Sequence, residues 1–141
     1  KMRKIKLLIF LFFIIVPLQN LKSEIIIMSS CDDKQDSFLK NEYILNLNKL
    51  IMIRNYIYTE KTYQKYKTTD LSIKKTNSYV RNIYEEDGKI FTYKHGYPQF
   101  YTQILFEKGN SEIFMKTVLN DEEGISKIST CKKIEKFKEE S

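Results

Sequence analysis

The sequence predicts an all-β domain: an antiparallel meander of about eight short strands closing into a barrel or sandwich, stapled by one disulfide. Three observations carry this. The chain has no Ala, the best helix former, and is rich in Ile, Tyr, Phe and Thr, which suit a pleated half-buried surface. Its four glycines punctuate the second half at turn-like spacing. Its two cysteines, Cys31 and Cys131, stand near the two ends of the globular part.

The elements follow in order. Residues 24–30 (Glu-Ile-Ile-Ile-Met-Ser-Ser) read as a first strand and 32–36 as a loop. Residues 42–47 and 50–58 read as a hairpin around Asn48-Lys49. The alternative is an α+β fold with a helix at about 37–54, because Leu39, Tyr43, Leu47 and Leu50 also fit a 3.6-residue stripe. Residues 63–67, 71–76 and 78–85 read as short strands. Gly88, Gly96, Gly109 and Gly124 then separate runs at 89–95, 100–107, 111–119 and 125–131. In the second of these Phe100, Thr102, Ile104 and Phe106 share one face and Tyr101, Gln103, Leu105 and Glu107 the other. Residues 132–141 are a charged stretch, with 135–141 read as a tail beyond a single domain at 24–134.

The charge has a location. The 141 residues carry a formal +6, but residues 1–23 hold five basic groups (Lys1, Arg3, Lys4, Lys6, Lys22) and no acid. The remainder holds 19 basic and 18 acidic groups, a net +1. A basic start, an apolar run at 7–18 and a short polar stretch ending in Ser23 have the order of a secretory signal peptide, with cleavage near Ser23. The apolar run is shorter than the roughly 20 residues a membrane span needs, so no span is expected in the mature chain. The expected location is the periplasm or the medium. Met28-Ser29-Ser30-Cys31 faintly resembles a lipoprotein box, but lies too far from the apolar run. An even cysteine count in an exported chain reads as a Cys31–Cys131 disulfide, with free thiols or an intermolecular bond as alternatives. The abundance of Lys, Ile, Asn and Tyr, with only three Arg, is that of an AT-rich genome.

The sequence excludes several chemistries. It has one histidine, His95, too few for a histidine-rich metal site, and no glycine-rich nucleotide loop or nucleophile elbow. His95 precedes a Gly-Tyr-Pro turn and reads as a solvent-exposed turn residue. The acidic turns at 85–88 and 121–124 lack the alternation of a calcium loop. No cofactor and no catalytic residue are assigned. One segment stands out: between residues 56 and 75 aromatics interleave with Lys and Thr, and residues 61–75 hold five Lys and one Asp. Tyr56, Tyr58, Lys61, Tyr63, Lys65, Tyr66 and Lys67 are the candidate binding residues, able to stack on sugar rings while Lys meets anionic groups. The competing reading is a strand pair with Tyr half-buried and Lys in water.

An export signal, a compact Tyr- and Lys-rich β domain and a cysteine near each end resemble the small exported bacterial β-barrel proteins that include the periplasmic lysozyme inhibitors. The resemblance covers residues 24–131 in architecture, and no functional residue is carried over. The missing catalytic constellation, together with the Tyr/Lys strip, points instead to a non-enzymatic binding or interaction domain whose partner is an envelope protein or an anionic glycan, nucleic acid being disfavoured for an exported chain of near-neutral charge. The alternatives are a carrier holding a small apolar ligand inside the barrel, and a small hydrolase using carboxylates or His95.

Overall fold

The computed structural model describes residues 23–34 and 36–139. Of the expected signal segment at 1–23, residues 1–22 lie outside these residues and Ser23 opens the first strand. Nine strands and one helix follow one another: β1 (Ser23–Asp32), β2 (Leu39–Asn46), β3 (Ile51–Tyr58), α1 (Glu60–Lys67), β4 (Thr76–Glu86), β5 (Lys89–Thr92), β6 (His95–Tyr97), β7 (Phe100–Glu107), β8 (Glu112–Leu119) and β9 (Glu122–Glu139). All pairings are antiparallel. The strand order β5-β4-β3-β2-β1-β9-β8-β7 closes on itself because β5 also pairs with β7, giving an eight-stranded barrel with β6 outside the ring. The expected all-β barrel is observed, and the helix at 37–54 is not: that stretch is the β2–β3 hairpin.

An eight-stranded barrel is just wide enough for side chains to fill it. Ile26, Met28, Tyr43, Leu45, Met52, Ile83, Ile90, Ile104, Phe106, Ile113 and Ile128 do so, together with both cysteines. A bulge in β1 between Met28 and Cys31, with Ser30 at φ 52°, breaks the two-residue alternation so that both residues are buried. Cys31 thereby sits opposite Cys131 on β9, and the two form the disulfide expected from the sequence.

The two ends of the barrel differ. At one end the connections are short. Asp87-Gly88, both at positive φ, make the two-residue turn that suits a hairpin twist, as the sequence implied. The other end carries the β1–β2 loop, the β3–β4 connection with α1, and the β6–β7 hairpin. Here the wall also splits. β4 pairs with β5 only from Ile83 to Glu86, and β6 pairs with β7 alone, so the two strands diverge beyond the Tyr93 N–H to Asn82 carbonyl hydrogen bond of 3.1 Å. We call this the open end.

Three details depart from the sequence expectations. Residues 63–67 are helical instead of extended, and 71–75 form turns and irregular backbone. Helix α1 has local support that single-residue preferences hide: Gln64 donates to Glu60 (2.9 Å), Glu60 lies in its first turn, and Lys65 and Lys67 in its last. The turn assigned to Gly124 is made by Asn120-Asp121, both at positive φ, and Gly124 lies within β9. The charged stretch from Lys132 continues β9 as far as Glu139, because β1 offers it a ladder from Cys31 to Ser23 and Ile134 packs against the core.

Candidate ligand-binding site

The open end of the barrel is polar inside. Arg54 points inward from β3 and is buried to 8% exposure. Its Nε donates to Asn41 Oδ1 on β2 (3.3 Å), one terminal nitrogen donates to the Tyr79 hydroxyl on β4 (3.1 Å), and the other lies 3.5 Å from Asp33 Oδ2. Asn41 also donates to Asp33 (3.2 Å). The guanidinium carbon stands 4.3 Å from the centre of the Tyr56 ring and 5.2 Å from that of Tyr43. Burying a charge is costly unless it is paired and hydrogen-bonded, and here every face of the guanidinium is engaged. The arrangement fixes Tyr56 and Tyr79, whose rings lie 5.4 Å apart, as the wall of an open cleft. Burial first, then a hydrogen bond to Tyr79, pushes the Tyr56 phenol above its ordinary range. It is therefore a neutral hydrogen-bonding group at physiological pH, not a base.

This cleft of about 460 Å³ is lined by Asp33, Asp36, Arg54, Tyr56, Tyr79, Arg81 and His95, with Leu39, Thr102, Ile104 and Met115 completing it. Two further clefts join it. One of about 460 Å³ shares Asp33 and Leu39 and extends to Lys40 and Lys132. The other, of about 360 Å³, shares Arg81 and His95 and extends to Lys94 and Tyr93 in the split between β4 and β6. Together they form a groove running across the open end.

His95 owes its place to a register shift. β5 pairs with β7 as Phe91↔Leu105, whereas β6 pairs as His95↔Thr102, so one extra residue is taken up at Thr92–Lys94. Buried polar groups hold this bulge: Gln103 donates to the Thr92 carbonyl (2.9 Å) and the Tyr84 hydroxyl (2.8 Å), and the Ile104 N–H donates to Thr92 Oγ1 (2.8 Å). Gly96 lets β6 approach β7. It has φ +130°, and a Cβ there would stand 2.4 Å from the Phe100 carbonyl oxygen.

The seven residues singled out in the sequence are not brought together. Tyr56 belongs to the cleft wall. Tyr58, at the end of β3, packs edge-on against Tyr66 of α1 with ring centres 5.9 Å apart. Tyr63 is half-buried, with Lys67 Nζ 5.6 Å from its ring centre, while Lys61, Lys65 and Lys67 are exposed. The strip is thus two surfaces, an aromatic wall inside the mouth and a Lys-bearing helix beside it. Sequence reasoning missed Arg54, Arg81 and Asp33. A signal was present: residues 24–141 contain only two arginines, in a composition that otherwise supplies Lys, and both line one cleft with the single histidine.

Among the described residues no group of three His, Cys, Asp or Glu is placed to hold a metal ion. No helix among them is long and apolar enough to cross a membrane. The chain matches no family model, no curated protein and no solved structure. Its likeness to small exported barrel proteins is one of architecture: a small antiparallel barrel of eight strands closed by a disulfide.

Proposed function

We propose that the chain is an exported, non-enzymatic binding domain that holds an envelope protein or anionic glycan in the groove across the open end of the barrel. The observation that carries this reading is the preorganised mouth. Arg54, Tyr56 and Tyr79 are locked by mutual contacts and by Asp33 and Asn41, yet border open space. Ligand sites combine such fixed polar groups with apolar walls, and the mouths of small barrels are a recurrent place for them. Rigid aromatic and Arg anchors also lose little entropy on binding. A disulfide suits an oxidising compartment. Cleavage after Ser23 removes only the first residue of β1 and leaves its ladder with β9 from Glu24 onward.

The hydrolase reading has one observation in its favour, since His95 shares its cleft with Asp33 and Asp36. Those carboxylates already accept hydrogen bonds: Asp33 from Asn41 and the Asp36 N–H, Asp36 from the Phe38 N–H. That engagement favours binding over proton transfer. The carrier reading needs apolar space, whereas the cleft at the mouth is bordered by two arginines, two aspartates and a histidine.

Photo-crosslinking distinguishes the ends of the barrel. A crosslinking residue at Lys94 or Lys132, in the groove, is expected to capture an envelope component. The same residue at Lys89 or Lys108, at the end with short turns, is expected to capture none. Equal capture from both ends, or capture from the short-turn end alone, refutes the proposal.

A further inference from the structure

We propose that the split between β4 and β6 is an oxyanion site, in which the Arg81 guanidinium receives one carboxylate or phosphate group of the ligand beside His95. This rests on the reading of the open end as the binding face and names the chemical group that face receives.

The two arginines at the mouth are in different states. Arg54 is satisfied by Asp33, Asn41 and Tyr79. Arg81 is half-buried and has no ion pair among the described residues; its guanidinium carbon lies 4.9 Å from the centre of the Tyr79 ring. A partly desolvated arginine without a carboxylate has unused donors in a planar fork, the geometry that matches carboxylates and phosphates bidentately. Arg81 borders both adjoining clefts, as does His95 from the other side of the split. No ladder closes the wall between them, so an incoming group meets the fork without displacing a backbone hydrogen bond.

The surrounding charges favour this choice. Asp33 and Asp36 are the carboxylates of the same cleft, and Asp33 faces Arg54 across 3.5 Å. Lys94 lies on the far side of the split, its Nζ 4.5 Å from the centre of the Tyr101 ring. A single oxyanion between Arg81, Lys94 and His95 is therefore drawn to the side of the groove away from Asp33. Below it the cleft offers the rings of Tyr56 and Tyr79 and the apolar side chains Ile104 and Met115. These reward an organic body attached to the anion more than a bare ion.

The test is an NMR titration of the full domain with matched pairs, glucuronate against glucose and octanoate against octanol, and with inorganic phosphate. A tetragalacturonate arm reports whether a polymer-borne carboxylate is preferred to a free one. At least one acid is expected to saturate, at least tenfold tighter than its neutral twin, with shifts at the Arg81 Nε and the His95 ring. Arg81→Gln is expected to abolish that ratio while the amide spectrum of the core stays unchanged, and Arg81→Lys to restore part of it. Neutral twins binding as well as acids, no saturation by any acid, or an Arg81→Gln protein that keeps the ratio each overturn the oxyanion site. Neutral twins that still move Tyr56 and Tyr79 leave the open end as the binding face. Probes that never move these rings, together with crosslinks absent from Lys94 and Lys132, remove both readings.

Discussion

Replacing both cysteines by Ala tests the closure of the barrel. Cys31 and Cys131 are 100 residues apart in sequence and directly opposite in the β1–β9 ladder. In the chain-entropy account a closed loop of that length removes about 4.7 kcal/mol of freedom from the unfolded chain. That is the scale of a third or more of a small domain's total stability of about 5–15 kcal/mol. Both sulfurs are buried, at 0% and 4% exposure, so the variant also loses a little packing. The double Cys→Ala protein is therefore expected to unfold at markedly lower urea, losing about 3–5 kcal/mol of unfolding free energy extrapolated to water. Its denaturant slope should rise, because an unfolded chain freed of a 100-residue loop exposes more surface. Urea melts followed by far-UV circular dichroism, on the oxidised protein, the same protein under reductant, and the variant, measure all three. Reduction and substitution should agree to about 1 kcal/mol. A loss below about 1 kcal/mol with an unchanged slope refutes the reasoning, since the unfolded state would then not be what the bridge constrains.

Further predictions address the core and the mouth. The Tyr43 hydroxyl is fully buried with no hydrogen-bond partner among the described residues, so Tyr43→Phe should leave thermal stability unchanged or raise it by about 1 kcal/mol. Burial holds the Tyr43 phenol well above its ordinary value of 10.0, so its contribution is intact below pH 10 and is lost as pH rises from there. Alkaline melts should show a fall approaching about 1.4 kcal/mol per pH unit from this group, absent in Tyr43→Phe; identical alkaline curves for the two proteins contradict it. Arg54→Met removes a buried guanidinium with its ion pair to Asp33 and its hydrogen bonds to Asn41 and Tyr79, and is expected to cost about 3–5 kcal/mol in urea melts. A cost under about 1 kcal/mol means that water screens the pair. Gly96→Ala should detach β6 at a cost of about 1–3 kcal/mol, because its Cβ meets the Phe100 carbonyl. Amide exchange should then quicken at residues 95–97 while Ile104 stays protected; uniform quickening would falsify a local effect.

The helix and the site show where sequence reasoning stopped. Residues 60–67 include two Tyr and one Thr, which suit strands, but the other five (Glu60, Lys61, Gln64, Lys65 and Lys67) are good helix formers. Their helix combines that propensity and the Gln64–Glu60 bond with contacts from outside it, such as the Tyr58–Tyr66 ring pair and the Thr59 N–H donating to the Phe38 carbonyl. The Lys and Tyr interleaving was legible, but its meaning was not. Periodicity at the end of β3 does not tell that Tyr56 turns into the mouth while Tyr63 and Tyr66 leave on a helix.

By itself the sequence favoured the β class, the β2–β3 and β4–β5 hairpins and the cysteine pairing, while leaving a helix at 37–54 and unbridged or intermolecular cysteines as alternatives. Each is set by local terms: alternation of two residues per strand, positive φ at Asp87-Gly88, and an even thiol count. Tertiary structure decided what those strands enclose. Asp33, Asn41, Arg54, Tyr79, Arg81 and His95 come from five separate segments, and each looks like ordinary surface in its own stretch. Closure between β5 and β7, and its failure between β4 and β6, gathers them around one cleft. Strand pairing across tens of residues has no local signature, so the charge that matters for binding becomes visible only when the barrel is closed.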